Sequence, residues 1–417
     1  MNKHLTIRNF GPIKNADLDI LDYNVFIGPQ ATGKSTIAKS VYFFMSLKMD
    51  ILGYVRKHRI NNSLNLLDFE RSLRTKFLEF WGSIKVDSAF HLSFRYDDEK
   101  MMSLDCHDGY VSVSYSTKMR DDLIEILGMA NMKKSLNEIS LMIEGLSYLN
   151  PTATYIPAGR SILSTLPDSL QQQILGMASM ADESNRLLDL PLRIFIEQIS
   201  QLKPVFNKPL NEIIEEKQAL APVSFNLDNN SLEIAQRLIA LILKGKYRYD
   251  KFGEAIDLEN NTFVRLSFAS SGQQESLWIL MSLFSLILNK TKSFVIIEEP
   301  EAHLFPESQK YMTDLMSLVA NINGNQIMIT THSPYILTSL NNHIYAEQVG
   351  EHHQERVLQI VDPSFWMSHQ RINACYVDAG AIRSIMDDEL HLIKAEEIDS
   401  ASLLINNEFS KLADIEQ

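Results

Sequence analysis

Four short stretches of this chain carry residue types whose spacing suits phosphate chemistry. The first is Gly28-Pro29-Gln30-Ala31-Thr32-Gly33-Lys34-Ser35, which fits the pattern G-x-x-x-x-G-K-[ST]. A short apolar run, Tyr23 to Ile27, precedes it, and a helix-forming stretch begins at Ser35. Glycines in such a loop let backbone N–H groups converge on phosphate oxygens, and the helix N-terminus adds a favourable partial positive charge. Lys34 would reach the β- and γ-phosphates, and the Ser35 hydroxyl would bind Mg²⁺. The second stretch is Phe294-Val295-Ile296-Ile297-Glu298-Glu299, a buried-type strand that delivers two carboxylates at its end. Adjacent side chains there diverge into two roles: Glu298 in the Mg²⁺ shell, Glu299 orienting or deprotonating an attacking water. The third is Ile329-Thr330-Thr331-His332-Ser333-Pro334, where His332 follows another buried strand and could hydrogen-bond the γ-phosphate or the water. The fourth, Ser270-Ser271-Gly272-Gln273, opens a helix and leaves free N–H groups suited to an anion. The same residues make an ordinary N-cap equally well, and local physics does not choose between the two.

These motifs need strands and helices to hold them, and the pattern of the chain supplies both. Leu5-Thr6-Ile7 and Ala16 to Ile20 alternate as strands around the turn Asn9-Phe10-Gly11-Pro12. Residues 48–90 show helical spacing, 91–118 a meander with turns at Asp97-Asp98 and His107-Asp108-Gly109, and 119–149 helix again. Thr152 to Ile156 reads as a strand ending at Pro157-Ala158-Gly159-Arg160. Residues 161–243 are mostly helical with breaks at Pro167, Pro191, Pro204 and Pro222. Three short strands fill roughly 244–268, a helix runs from Ser271 to about Leu288, and Ser293 to Ile297 and Gln326 to Thr330 are buried strands. After Leu340 the pattern predicts a few strands and a final helix near 397–413. The segments are then 1–48, 49–160, 161–243, 244–345 and 346–417, with the middle inserted into one fold whose motifs lie at both ends.

Composition narrows the field. The chain has 417 residues, 45% hydrophobic and 22% charged, a globular balance. Its net charge of −13 argues against coating nucleic acid with the whole surface, so any such contact needs a local basic patch or a partner. Two candidates exist. Lys244 to Tyr249 interleaves basic and aromatic residues but also looks like a half-exposed strand. Arg56 to Arg59 and Arg71 to Lys76 sit on helices and also fit solvated faces. No apolar run reaches the ~18–20 residues of a membrane helix, and no signal-peptide core opens the chain, so a cytosolic location is expected. Cys106 and Cys375 form no metal-binding cluster.

Taken together, "LTIRNFGPIKNADLDI", "GPQATGKST", "SSGQQE", "FVIIEEPEAHLFP" and "TTHSPYIL" resemble the ABC-type ATPases of the RecF/SMC group, and more closely the OLD-like ATPases of bacterial phage-defence systems such as Septu and PARIS. The resemblance implies an α/β fold, a P-loop NTPase head with a mixed sheet flanked by helices, an antiparallel β subdomain and a helical insertion. It implies ATP and Mg²⁺ as cofactors. Gly28, Gln30, Ala31, Thr32, Gly33, Lys34, Ser35 and Thr36 would hold the nucleotide, Ser35 and Glu298 the metal, and Lys34, Glu299 and His332 would act in hydrolysis. It further implies a homodimer that sandwiches two ATPs, with Ser271, Gly272 and Gln273 of one subunit on the γ-phosphate held by the other, and Glu301, His303 and Pro306 near the seam. Two departures stand out: Glu298 replaces the usual Asp, and Arg160 stands where the family's Gln loop would be, either replacing it or packing nearby. Proline and strands between Lys34 and Ser271 exclude a long coiled-coil arm. The residues after Leu340 are too few for the nuclease domain of full OLD proteins, and Asp387-Asp388-Glu389 reads as a solvated helix face, so no nuclease activity is expected. The expectation is an ATP-gated sensor and scaffold that controls a separate nuclease or toxin. The alternatives are a RecF-like repair ATPase that binds DNA itself and a nucleotide-stapled oligomer with little turnover.

Overall fold

The structure, a computed structural model, describes residues 3–58, 64–81, 89–132, 135–160, 188–220, 227–258, 262–394 and 406–412. Strands β1 (Lys3–Phe10) and β2 (Ile13–Ile20) form a hairpin, and β3 (Tyr23–Ile27) leads through the glycine loop into α1 (Lys34–Met45). Helices α2 (Leu47–His58) and α3 (Leu66–Trp81) precede the meander β4 (Phe90–Arg95), β5 (Met101–His107) and β6 (Tyr110–Tyr115). After α4 (Thr117–Asn131) and α5 (Leu136–Gly145) comes β7 (Thr152–Ile156). Helices α6 (Leu190–Leu202), α7 (Leu210–Leu220) and α8 (Asn229–Leu243) lead to β8 (Lys246–Asp250), β9 (Gly253–Asp257) and β10 (Phe263–Arg265). The rest is α9 (Ser271–Asn289), β11 (Ser293–Glu298), α10 (Pro306–Asn321), β12 (Gln326–Thr331), α11 (Pro334–Val357), β13 (Ile372–Asp378) and β14 (Ala381–Ser384).

The central sheet runs β14-β13-β3-β12-β11-β7, and all but β14 are parallel. Its inner strands are apolar on both sides because both faces are covered. Val25, Ile27, Val295, Ile297, Ile327 and Ile329 point into one core, shared with α8, α9, α10 and α11. The alternate residues Phe26, Phe294, Ile296 and Met328 point into a second core. There they meet α1 through Ile37, Ala38 and Val41, and the five-stranded sheet β2-β1-β4-β5-β6 beyond it. Each such side chain, taken fully out of water, contributes about 1.5–3 kcal/mol. The third sheet, β10-β9-β8, is antiparallel. This is the mixed α/β P-loop head with an antiparallel subdomain.

Several expectations change. Residues after Leu340 continue α11 to Val357 before β13 and β14, and the terminal helix spans 406–412. The residues 161–187, with Pro167, and Pro222 and Arg59 lie outside the described residues. Asp387 sits in a turn, not a helix: its carboxylate accepts from the Glu389 and Leu390 amides. In the basic stretches Arg56, Lys57, Arg71, Lys244 and Lys246 are exposed, as on solvated faces, while several of their neighbours are engaged within the chain. Tyr247 is buried and donates to the Phe206 carbonyl at 2.6 Å, while Arg248 pairs with Asp257 and Asp250 across the same hairpin. Arg74 donates to the Val111 carbonyl, and Lys76 pairs with Asp50. Among the described residues, no helix is long and apolar enough to cross a membrane.

Candidate nucleotide site

Parallel strands put their C-terminal ends, and the loops that follow, on one edge of the sheet. Strand β12 lies between β3 and β11, with Ile27 opposite Thr331 and Thr330 opposite Glu298. The glycine loop, His332 and the two acids therefore share that edge. The loop is held tightly from behind. Gly28 has φ of 152°, and a Cβ there would lie 2.2 Å from the Val377 carbonyl oxygen of β13. Gly33, at φ 109°, would meet the Ile13 side chain at 2.4 Å. Gly33 is also the N-cap of α1 and makes no side-chain cap, which leaves the first amides of the helix for a ligand. Gln30, Ala31 and Ser35 are exposed, Thr32 and Thr36 half-buried. Lys34 is buried, and its Nζ donates to the Gly28 and Pro29 carbonyls at 2.8 and 2.7 Å. Burial pushes the Lys34 amine down from its ordinary value, and the carboxylates of Glu299 and Glu301 pull it back.

The acidic pair diverges as a strand end allows. Glu298 is buried, and its Oε2 accepts from the Ala158 amide at 3.2 Å. Its presence, after burial itself, helps drive the neighbouring Tyr155 hydroxyl well above its usual range. Glu299 turns out of the strand into the left-handed region (φ 46°), and its N–H donates to the Thr330 carbonyl at 2.8 Å. Its Oε1 lies 3.5 Å from the Nε2 of His332, and both side chains are partly exposed. His332 is positioned from behind: its amide and the Thr331 hydroxyl both donate to Glu301 Oε1 at 2.7 Å. Burial raises the Glu301 carboxyl above its ordinary value, although those two donors pull it down. Sequence reasoning put Glu301 near a subunit seam and missed this role. The contact spans 30 residues of chain, so no local spacing could have revealed it.

At the fourth motif the structure shows the cap. Ser270 caps α9 in a reciprocal capping box with Gln273, whose Nε2 also donates to the Leu243 carbonyl at 2.7 Å. Ser271 is exposed in the first turn. Gly272 is buried against the loop after the acidic pair, where a Cβ would lie 2.5 Å from the His303 carbonyl oxygen. Gly272→Ala is expected to cost about 1–3 kcal/mol through that contact. A lowered midpoint in thermal unfolding checks it, and an unchanged midpoint would show that the loop yields freely. Arg160 is also buried, and its guanidinium donates to the carbonyls of Pro157, Glu275, Glu298 and Glu299. It packs behind the acids.

With this geometry in place, similarity to known proteins identifies the chain. The family profile of the AAA ATPase domain called AAA_15 matches residues 1–158 and 104–337. The chain belongs to this family. The AAA_15 profile describes an AAA ATPase domain. The chain is 23% identical over 376 residues to the OLD nuclease of Thermus scotoductus, a match that covers 86% of the chain and 63% of that relative. It therefore spans less than two thirds of the relative's length. A 68-residue stretch is 34% identical to the DNA replication and repair protein RecF of Lactobacillus acidophilus, 16% of each protein. Among solved structures, the SMC head bound to the C-winged helix domain of ScpA is similar with a TM-score of 0.45 and 12% identity, covering 92% of this chain and 96% of that one. A RecF–ATP structure is similar with a TM-score of 0.35 and 11% identity, covering 92% and 98%.

Proposed function

We propose that this AAA_15 chain is an ATP-hydrolysing switch that works as an ATP-sandwiched homodimer and holds or releases a separate effector, a nuclease or toxin, in a phage-defence system. The observation that carries it is the convergence of Lys34, Glu298, Glu299 and His332 on one edge of the sheet. Lys34 and the free amides of α1 bind the β- and γ-phosphates. Ser35 and Glu298 would hold Mg²⁺: a hydroxyl and a carboxylate are hard oxygen donors, and this ion commonly takes one or two protein oxygens plus phosphates. When bound, it neutralises charge on the phosphates. Glu299 takes the proton of the attacking water, and His332, fixed through Glu301, donates to the γ-phosphate.

Exposed aromatics support the dimer. Phe268, Phe305 and Tyr335 are 83%, 73% and 52% exposed, and they flank the signature segment, the loop after the acids and His332 in turn. Large exposed rings beside a site favour a face that is covered when the protein works. The resemblance to OLD-like ATPases supports the setting.

Lys34→Ala tests the site. Loss of a charged donor to the phosphates costs about 1.5–3 kcal/mol, roughly tenfold to a hundredfold in ATP affinity. Equilibrium binding of a fluorescent ATP analogue measures it. Wild-type protein that binds no ATP at micromolar concentrations would end this reading.

A further inference from the structure

We infer that Arg160 is a positioning residue that ties the signature helix of a subunit to the acidic pair of the same subunit, so that engagement of the partner's nucleotide sets this subunit's hydrolytic geometry. The inference rests on the dimer reading above.

Arg160 is 2% exposed and touches three elements at once. Its Nε donates to the Glu275 carbonyl in the first turns of α9 at 3.1 Å. Its Nη1 donates to the carbonyls of Pro157, at the end of β7, and of Glu298, at 3.0 and 2.8 Å. Its Nη2 donates to the Glu299 carbonyl at 2.7 Å and lies 3.9 Å from Glu275 Oε2. Only a planar fork of donors spans such a set; a lysine ammonium is a point charge on a flexible stem.

The grip falls on a residue whose backbone lies in a sparsely populated region. Glu299 sits in the left-handed region, which side chains other than glycine rarely adopt. Its N–H is fixed by Thr330 and its C=O by Arg160, so the direction of its carboxylate depends on both anchors. The opposite end of the link is Glu275, four residues beyond the exposed Ser271 on the same helix. A second strand of the connection runs in parallel. Glu275 Oε1 lies 3.5 Å from His303 Nε2, and the His303 carbonyl packs on Gly272. A shift of the first turn of α9, where the partner's ATP would bind, is thus carried to Glu298 and Glu299 through one rigid side chain. A filler that only packed the space would not need a charged fork directed at four carbonyls.

The experiment uses full-length protein and compares wild type, Arg160→Lys and Glu275→Gln. Unfolding midpoint, affinity for a fluorescent ATP analogue, kcat and the Hill slope of turnover against ATP are measured together. Arg160→Lys should bind ATP within about threefold of wild type and lose roughly 100-fold in kcat, the scale of a misplaced reacting group. Its Hill slope should fall from above 1 to 1. Glu275→Gln keeps the four carbonyl bonds and removes the carboxylate 3.9 Å from Nη2, so it should lower the Hill slope; that carboxylate is buried beside Arg160, so its loss also lowers the unfolding midpoint, and turnover is read per folded protein. It keeps the inference testable if Arg160→Lys fails to fold. A wild-type Hill slope of 1, or variants with wild-type kcat and slope, would overturn the inference. A loss of kcat that only follows the folded fraction would do so too. Wild-type protein with no turnover at all defeats the ATPase-switch reading itself; turnover that the substitutions leave unchanged defeats only the role of Arg160.

Discussion

Glu299→Gln should lower kcat for ATP hydrolysis by about 10²–10⁴-fold, the contribution of a positioned general base, while ATP affinity stays within about threefold. The amide has the shape of the carboxylate but cannot take a proton. Lys34 and the amides of α1, which would hold the phosphates, are untouched by the change. The Glu299 carboxylate points to the site edge, partly exposed and 3.5 Å from His332 Nε2, so water can reach it. Its backbone is held by Thr330 and Arg160 whichever side chain is present, so the variant should fold as wild type does. Single-turnover hydrolysis, which separates chemistry from binding and release, is the suitable readout. A kcat within fivefold of wild type would move the base role away from Glu299, with His332 the next residue to replace.

Asp314→Ala should cost about 3–5 kcal/mol of stability, the usual cost of leaving a buried partner without its charge. Asp314 and His343 are 1% and 2% exposed, in the core between α10 and α11. Asp314 Oδ1 meets His343 Nε2 at 2.9 Å, and its Oδ2 accepts from Lys310 Nζ at 2.7 Å. His343 Nδ1 lies 3.0 Å from the buried Ser317 hydroxyl. Removing the carboxylate takes the hydrogen-bond partner from the His343 Nε2 and from Lys310, and opens a small void. Asp314→Asn keeps one acceptor and should cost less. The midpoint of urea unfolding gives the ranking. A loss below about 1 kcal/mol for Asp314→Ala would show that the two helices relax around the site and that the pair contributes little.

Neither residue of that pair stood out in the sequence, and the reason is general to this chain. Local signals carried the parts whose physics is local. The alternation in β1 and β2, the continuous apolar runs of β3, β11 and β12, and the glycine loop between β3 and α1 were all legible, because each follows from strand periodicity or turn chemistry. Helix α11 was not. Its length depends on distant packing: Gly350 fits beneath the Trp366 ring, where a Cβ would lie 2.4 Å away, and a kink at His353 ends the regular part. Asn341, Asn342, Gly350 and the histidines inside that stretch weaken the helical signal. The role of Arg160 was left open for the same reason, since its acceptors Glu275 and Glu299 lie 115 and 139 residues away. Asp387 has a helix-like neighbourhood, yet its side chain captures two following amides and makes a turn instead. At the fourth motif the sequence left cap and anion site level, and the structure displays the cap at Ser270 with Ser271 still exposed.

The central claim is that ATP itself joins two copies of this chain. The most direct measurement is the mass of Glu299→Gln by light scattering, with and without ATP and Mg²⁺, beside the Lys34→Ala/Glu299→Gln double variant. The account predicts that ATP carries the single variant from the 47.6 kDa chain to twice that mass and leaves the double variant unmoved. A single variant that binds ATP and stays at the mass of one chain, or a double variant that doubles equally, would contradict it.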